Sequence, residues 1–343
     1  MSHQDLTDQI AAALKARRLH AAPKTAQASG CDNPGCARHA GASSFPHFPS
    51  TARSGADFGE AVADAWYKAS GSSRMDIPVG IVAALALWPT KTEGAAHAGR
   101  LASYFAAQPG PVLVQGYAEC FAASWMQRPD LLDVATPITQ WTEEDLDQTL
   151  LRGVQAVTRA AVRSGVLHYT GSSDPAFRST IDLMSWTVTA LRHHSSRKGL
   201  GEYHTPPDIA AAMASVLTAK QLPEPGEWFC EPTAGTGSMF RTLAEALRDH
   251  NLDPHDFGWM MQELSPVAAA AAAVNVLVWD LGPRALVACG DTLAQGDLTA
   301  AALAHQREMF AHRDRITDAT VAAVATHKAN RLLNSLFPNS TAA

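Results

Sequence analysis

The sequence predicts an α/β protein, a helical N-terminal domain followed by a parallel, doubly wound sheet. Three observations carry that expectation. Between Phe58 and about His194 apolar residues recur at helical spacing almost throughout. The texture shifts at Lys198-Gly199-Leu200-Gly201, and beyond it short apolar runs of strand length alternate with helical segments. Strand, helix and strand at this rhythm mean parallel strands joined by crossover helices.

The elements follow in order. Residues 1–56 predict a short amphipathic helix over 1–21, on Leu6, Ile10, Leu14 and Leu19, and then a lead-in rich in Pro, Gly, Ser and Ala. The helical domain spans 57–197. Phe58 to Trp66 is one helix, Ile81 to Trp88 lies in a buried one, and Val112 to Met126 is another. Thr142 is placed as an N-cap, with Glu143, Glu144 and Asp145 in the first turn of a helix running through Leu150, Leu151, Val154 and Val157. Asp182 to His194 closes the domain. Over 198–294, strands are expected at Trp228–Cys230, Phe257–Gln262 and Ala285–Cys289, with helices at Ser238–Arg248 and Pro266–Trp279. Residues 295–343 form a helical or irregular tail, helical from Ala300 to about Arg315, and no internal repeat is visible.

Composition sets the outer limits. The chain has 343 residues, 46% of them hydrophobic, which is room for two domains with real cores and a tail. Lys and Arg number 27 against 33 Asp and Glu, a net charge of −6, so any DNA contact has to be local. The abundance of Ala says little about fold or function. The five cysteines are scattered and form no disulfide framework. The N-terminus lacks the basic stretch and apolar run of a signal peptide. The cleanest apolar run, Ile77 to Trp88, falls short of the ~20 residues a bilayer requires, so a cytoplasmic protein without a membrane segment is expected. Cys31, Cys36 and His39, with His20 and His47 near, read either as zinc ligands or as incidental residues of the lead-in. Arg192-His-His-Ser-Ser-Arg-Lys198 reads either as a contact to a phosphate backbone or as a solvated helix end.

The strongest local feature is Phe229-Cys-Glu-Pro-Thr-Ala-Gly-Thr-Gly-Ser238, a strand running into an acid, a Gly-x-Gly turn and a helix. Gly235 and Gly237 permit backbone angles and a close approach that a side chain would block. A ligand then lies over the turn at the carboxyl end of the sheet. No third glycine stands at dinucleotide spacing and no Gly-Lys-Ser/Thr follows, which argues against NAD and against a phosphate-binding loop. In Gly258-Trp-Met-Met-Gln-Glu-Leu-Ser-Pro266 the second strand ends on Glu263, Ser265 caps and Pro266 opens the helix. The third strand ends in Gly290-Asp291-Thr292. An acid at the end of the second strand is where a nucleotide site holds ribose hydroxyls, and acids end all three successive strands, Glu231, Glu263 and Asp291. Hydrolase signatures such as Gly-x-Ser-x-Gly and His-Glu-x-x-His are absent.

Upstream lies Gly201-Glu-Tyr-His-Thr-Pro-Pro-Asp-Ile-Ala210, in which Thr205 caps a helix opened by proline. With the three-strand pattern behind it, the segment resembles the N6-adenine DNA methyltransferases, most nearly the modification subunits of type I restriction–modification systems. The likeness covers roughly 58–293, including Ser73-Arg-Met-Asp-Ile-Pro78, and is specific chiefly in 199–292. It implies a Rossmann-like class I methyltransferase sheet that binds S-adenosyl-L-methionine. By resemblance, Tyr203, Thr205 and Pro206 line the methionine side, and Glu231, Gly235 and Gly237 flank the amino acid and sulfonium. Glu263 takes the ribose hydroxyls and Asp291 approaches the adenine. His204 replaces the usual aromatic, and Glu231 the commoner Asp.

One family feature is missing. An (Asn/Asp/Ser)-Pro-Pro-aromatic segment, which holds the target amine and stacks on a flipped base, should follow Asp291 and does not. Asp174-Pro-Ala-Phe177 and Asn33-Pro-Gly-Cys36 come nearest, and both lie upstream without the second proline. The chain also ends about fifty residues beyond Asp291, so a truncated sheet is expected, with an exposed edge after the third strand. No catalytic residue and no resident metal are assigned. Two functions stay open: methyl transfer to the N6 of adenine in DNA, or a non-catalytic cofactor- or partner-binding relative whose sheet a second polypeptide completes.

Overall fold

The computed structural model describes residues 55–88, 95–192, 205, 207–219 and 222–336. The helix expected at 1–21, the lead-in and its Cys31, Cys36 and His39 lie outside these residues. The chain divides into two compact units, residues 44–306 and a second whose described part is 307–336.

The first unit opens with α1 (Gly55–Ser70), α2 (Asp76–Leu87), α3 (Ala95–Ala107), α4 (Gly110–Gln127) and α5 (Leu132–Thr139). It continues through α6 (Gln148–Arg163), the short α7 (Val166–Thr170) and α8 (Pro175–Arg178), and α9 (Leu183–Leu191). Helix α2 is the hub, with every residue from Ile77 to Leu87 buried. An all-apolar helix is stable only when surrounded, and α1, α4, α5, α6 and α9 pack about it. Close packing requires Gly80, because a Cβ there would stand 2.2 Å from the Ile138 carbonyl oxygen. Thr142 does not cap a helix as expected. It lies in a 3-10 turn, Gln140–Glu143, and Asp147 caps α6 by accepting the Thr149 and Leu150 amides at 2.8 Å each. A carboxylate directly before the first turn satisfies two orphan amides.

After α10 (Pro207–Ala219) come β1 (Trp228–Glu231), α11 (Ser238–Asp249), β2 (Gly258–Glu263), α12 (Pro266–Val278) and β3 (Ala285–Cys289). The strands form a parallel three-stranded sheet in the order β1-β2-β3. Helix α12 lies between the sheet and helices α2, α5 and α9. Its run Ala268–Ala273 is buried on every side, so the alanines that looked uninformative are what lets two layers close on one helix. Arginines fasten the layers together. Arg178 Nε donates to the Val278 carbonyl and Arg248 Nη2 to that of Trp279, both at 2.6 Å, where the negative end of α12 favours a cation. Arg128, ion-paired with Asp130 at 2.8 Å, reaches the carbonyls of Gly282 and Ala285.

A turn of helix, α13 (Thr292–Gln295), precedes α14 (Thr299–Leu336). Helix α14 runs far past the expected Arg315 because no Gly or Pro interrupts it before Pro338. In the second unit Arg313 stacks on Phe310, 4.6 Å from the ring centre.

Candidate functional site

The three acids share one end of the sheet but are stepped. Glu231 stands opposite Met261, and Glu263 opposite Cys289, so each acid lies two residues further along than its neighbour. Glu231 is half-buried, and its Oε1 accepts from the Thr233 amide and hydroxyl at 3.3 and 3.0 Å. Glu263 Oε2 accepts the Gly235 amide and Oε1 the Ser265 amide, both at 2.7 Å. Asp291 is exposed and caps α13 through the Leu293 and Ala294 amides at 3.0 and 3.2 Å.

The turn after β1 has the expected left-handed glycines, Gly235 at φ +57° and Gly237 at +90°. They differ in surroundings. A Cβ on Gly237 would press on Met261 Sδ at 3.0 Å, whereas one on Gly235 would enter open space. Open space over the turn, before the start of α11, is what a ligand lying there requires.

A residue not anticipated as part of the site locks this turn. Asp182, the N-cap of α9, is buried and accepts the Ser185 amide and Asn275 Nδ2 on one oxygen at 2.9 and 3.0 Å. Its other oxygen accepts the hydroxyls of Thr236 and Ser238 at 3.0 and 2.7 Å. Asn275 also donates to the Thr236 carbonyl at 2.9 Å. In the sequence Asp182 is only a helix start. The 54 residues separating it from Thr236 leave no local signal of the contact.

Other groups close around the same end. Arg192 Nη2 donates to Ser265 Oγ at 2.7 Å, with burial pushing its pKa down and the Glu263 charge acting the other way. That side chain of the basic run is therefore engaged beside the site, and 193–198 lie outside the described residues. Thr292 Oγ1 donates to the Pro232 carbonyl at 2.7 Å, drawing the Asp291 loop alongside the β1 turn. Buried Gln262 holds the same loop by donating to the Gly296 carbonyl at 2.9 Å. Thr205 is half-buried, while Tyr203 and Pro206 lie outside the described residues. Asp174 caps α8 through the Ala176 amide and Phe177 packs edge-on to His168, a capping turn. Among the described residues no group of three His, Cys, Asp or Glu is placed to hold a metal, and no helix is long and apolar enough to cross a membrane.

Residues 187–321, roughly two fifths of the chain, match the family model described as N-6 DNA methylase. The match supports an adenine DNA methyltransferase family. It begins inside α9 and takes in the whole sheet with its glycine turn. No curated protein and no solved structure matches the chain.

Proposed function

We propose that this chain is an S-adenosylmethionine-binding protein of N6-adenine DNA methylation, built like the modification subunit of a type I restriction–modification system and working in the cytoplasm. The observation that carries the reading is the Gly235 amide held by Glu263 above a left-handed glycine turn, inside the stretch that matches N-6 DNA methylase. Bound there, the cofactor supplies the methyl group. Glu263 has carboxylate oxygens for the ribose hydroxyls, and Glu231 accepts from the amino group of the methionine part. Gly235 leaves room for the chain of the ligand, and Asp291 stands on the adenine side. By the family resemblance, Tyr203, Thr205 and Pro206 would line the methionine side. The helical segment 57–197 carries the cofactor segment 198–294, with 295–343 as a tail.

The substrate in this reading is an adenine of DNA, flipped out of the duplex to expose its amine. With a net charge of −6, strand contact has to be local. Calorimetric titration with S-adenosylmethionine, followed by tritiated-methyl transfer to unmethylated DNA, tests the proposal. Binding with transfer is expected of the enzyme. Binding without transfer leaves a cofactor-binding subunit, and the absence of both overturns the reading.

A further inference from the structure

The chain carries 33 acids against 27 bases, yet two stretches invert that balance. Residues 95–118 and 148–173 hold four arginines and not one Asp or Glu. The fold brings them together, because α3 and the short α7 both pack on α6. Arg159 Nε of α6 donates to the Ala106 carbonyl of α3 at 3.0 Å, and Gln155 Nε2 to that of Gln108 at 3.2 Å.

Helix α6 buries Val154, Val157 and Ala161 on its inner side. Its outer side presents Arg152, Arg159 and Arg163, all exposed. Seven and four residues apart, the three fall on one stripe, since seven residues are nearly two turns and four just over one. A solvated helix face ordinarily mixes the two signs. Lys68 in α1 pairs with Asp64, Arg241 in α11 with Glu245, and Arg313 in α14 with Asp314. On the α6 stripe, among the described residues, no carboxylate pairs with any of the three arginines. The helix dipole accounts for Arg163, which lies in the last turn, and not for the other two. Arg159 and Arg163, one turn apart, repel each other. A field of a single sign, held against its own repulsion, attracts a partner of the opposite sign.

We infer that the outer stripe of α6 binds the phosphate backbone of duplex DNA, with Arg152, Arg159 and Arg163 each on a phosphate. The spacing fits. At 1.5 Å per residue the arginines stand about 10.5 and 6 Å apart along the helix. Phosphates of one strand advance 3.4 Å per step along the duplex, so three steps are about 10.2 Å and two about 6.8 Å. An acidic polypeptide offers charge without that fixed step. Arg159 is anchored through Nε, which leaves its two Nη groups to take phosphate oxygens together. Contacts of this kind position a duplex and read no sequence. The inference rests on the DNA reading proposed above and supplies the local contact that a net charge of −6 demands.

The test uses the full chain and a fluorescent duplex, with binding followed by anisotropy between about 50 and 200 mM salt. The triple variant Arg152→Gln/Arg159→Gln/Arg163→Gln changes exposed positions and should leave thermal unfolding unchanged. Its affinity should fall at least about tenfold, and its slope of log K against log salt should be shallower by about 0.9 for each lost contact. The control Arg307→Gln/Arg315→Gln/Arg331→Gln removes the same charge from exposed positions of α14 and should leave the slope as it was. No binding by the unmodified chain, an unchanged slope in the α6 variant, or equal effects of the two triples would overturn the inference. So would polyglutamate competing as well as unlabelled duplex of equal charge. Titration with S-adenosylmethionine should not distinguish the α6 variant from the unmodified chain. Failure of the unmodified chain to bind cofactor overturns the methylation reading, while the salt slopes still report on the stripe.

Discussion

Glu263 Oε2 receives the amide of Gly235 at 2.7 Å, so the acid ending β2 holds the glycine turn that ends β1. Two strands far apart in sequence are thereby set at one height before any ligand arrives. The same carboxylate takes the Ser265 amide on its other oxygen, which orients it over the sheet.

Glu263→Gln offers one acceptor oxygen in place of two and removes the charge. Bonds to charged groups contribute roughly 1.5–3 kcal/mol, discounted here because the side chain is half-buried. Affinity for S-adenosylmethionine should fall at least about tenfold by calorimetry. Unchanged affinity would remove Glu263 from the ribose position.

The two glycines should separate stability from binding. Gly237→Ala forces a Cβ into left-handed backbone and against Met261 Sδ at 3.0 Å, and should cost about 1–3 kcal/mol in urea unfolding. Gly235→Val meets no atom, so its stability loss comes from backbone strain alone, while the side chain fills the space above the turn. Gly235→Val should therefore abolish cofactor binding in a chain that still folds. Intact binding in that variant would show the site to be misplaced.

Asp182→Ala leaves Thr236 and Asn275 buried without their shared acceptor and frees the Ser238 hydroxyl. Each buried polar group so orphaned costs about 1–3 kcal/mol, and denaturant unfolding should show a loss of at least about 3 kcal/mol. Asp182→Asn keeps one acceptor and should recover part of it. A loss near that of an ordinary surface substitution would mean that the turn stands without its clamp.

Arg74 bridges the loop before α2 to the 3-10 turn, with Nη1 2.6 Å from Glu144 Oε2 and a second ion pair to Asp76. The hydrogen bond from Arg74 holds the Glu144 carboxyl below its ordinary value of 4.5. A depressed folded value means that the contribution is complete above pH 4.5 and is lost as pH falls through the folded value. Glu144 is 40% exposed, so solvent screening limits the pair to under about 1 kcal/mol. Glu144→Gln should cost that amount at pH 7 and progressively less as pH falls below 4.5, measured by urea midpoints.

Local chemistry was readable wherever it resides in neighbouring residues. Ser265 caps α12 and Pro266 opens it, as a Ser-Pro pair at a strand's end implies. The same reasoning failed at Thr142, because several side chains in Thr142–Asp147 are eligible caps and packing of the 3-10 turn decided between them. Long-range contacts left no trace: nothing about Asp182 in the sequence points to Thr236, and nothing in Ala268–Ala273 tells a buried crossover from an exposed alanine helix.

From the chain alone came the helical segment, the alternation of strand and helix, and the placing of three acids and two glycines at strand ends, since periodicity and turn chemistry act over a few residues. Tertiary structure decided which acid holds which amide, which carboxylate clamps the turn, and the order β1-β2-β3 in which the strands lie. Those outcomes depend on which segments meet in space, and burial and charge pairing settle that only once the whole unit has packed.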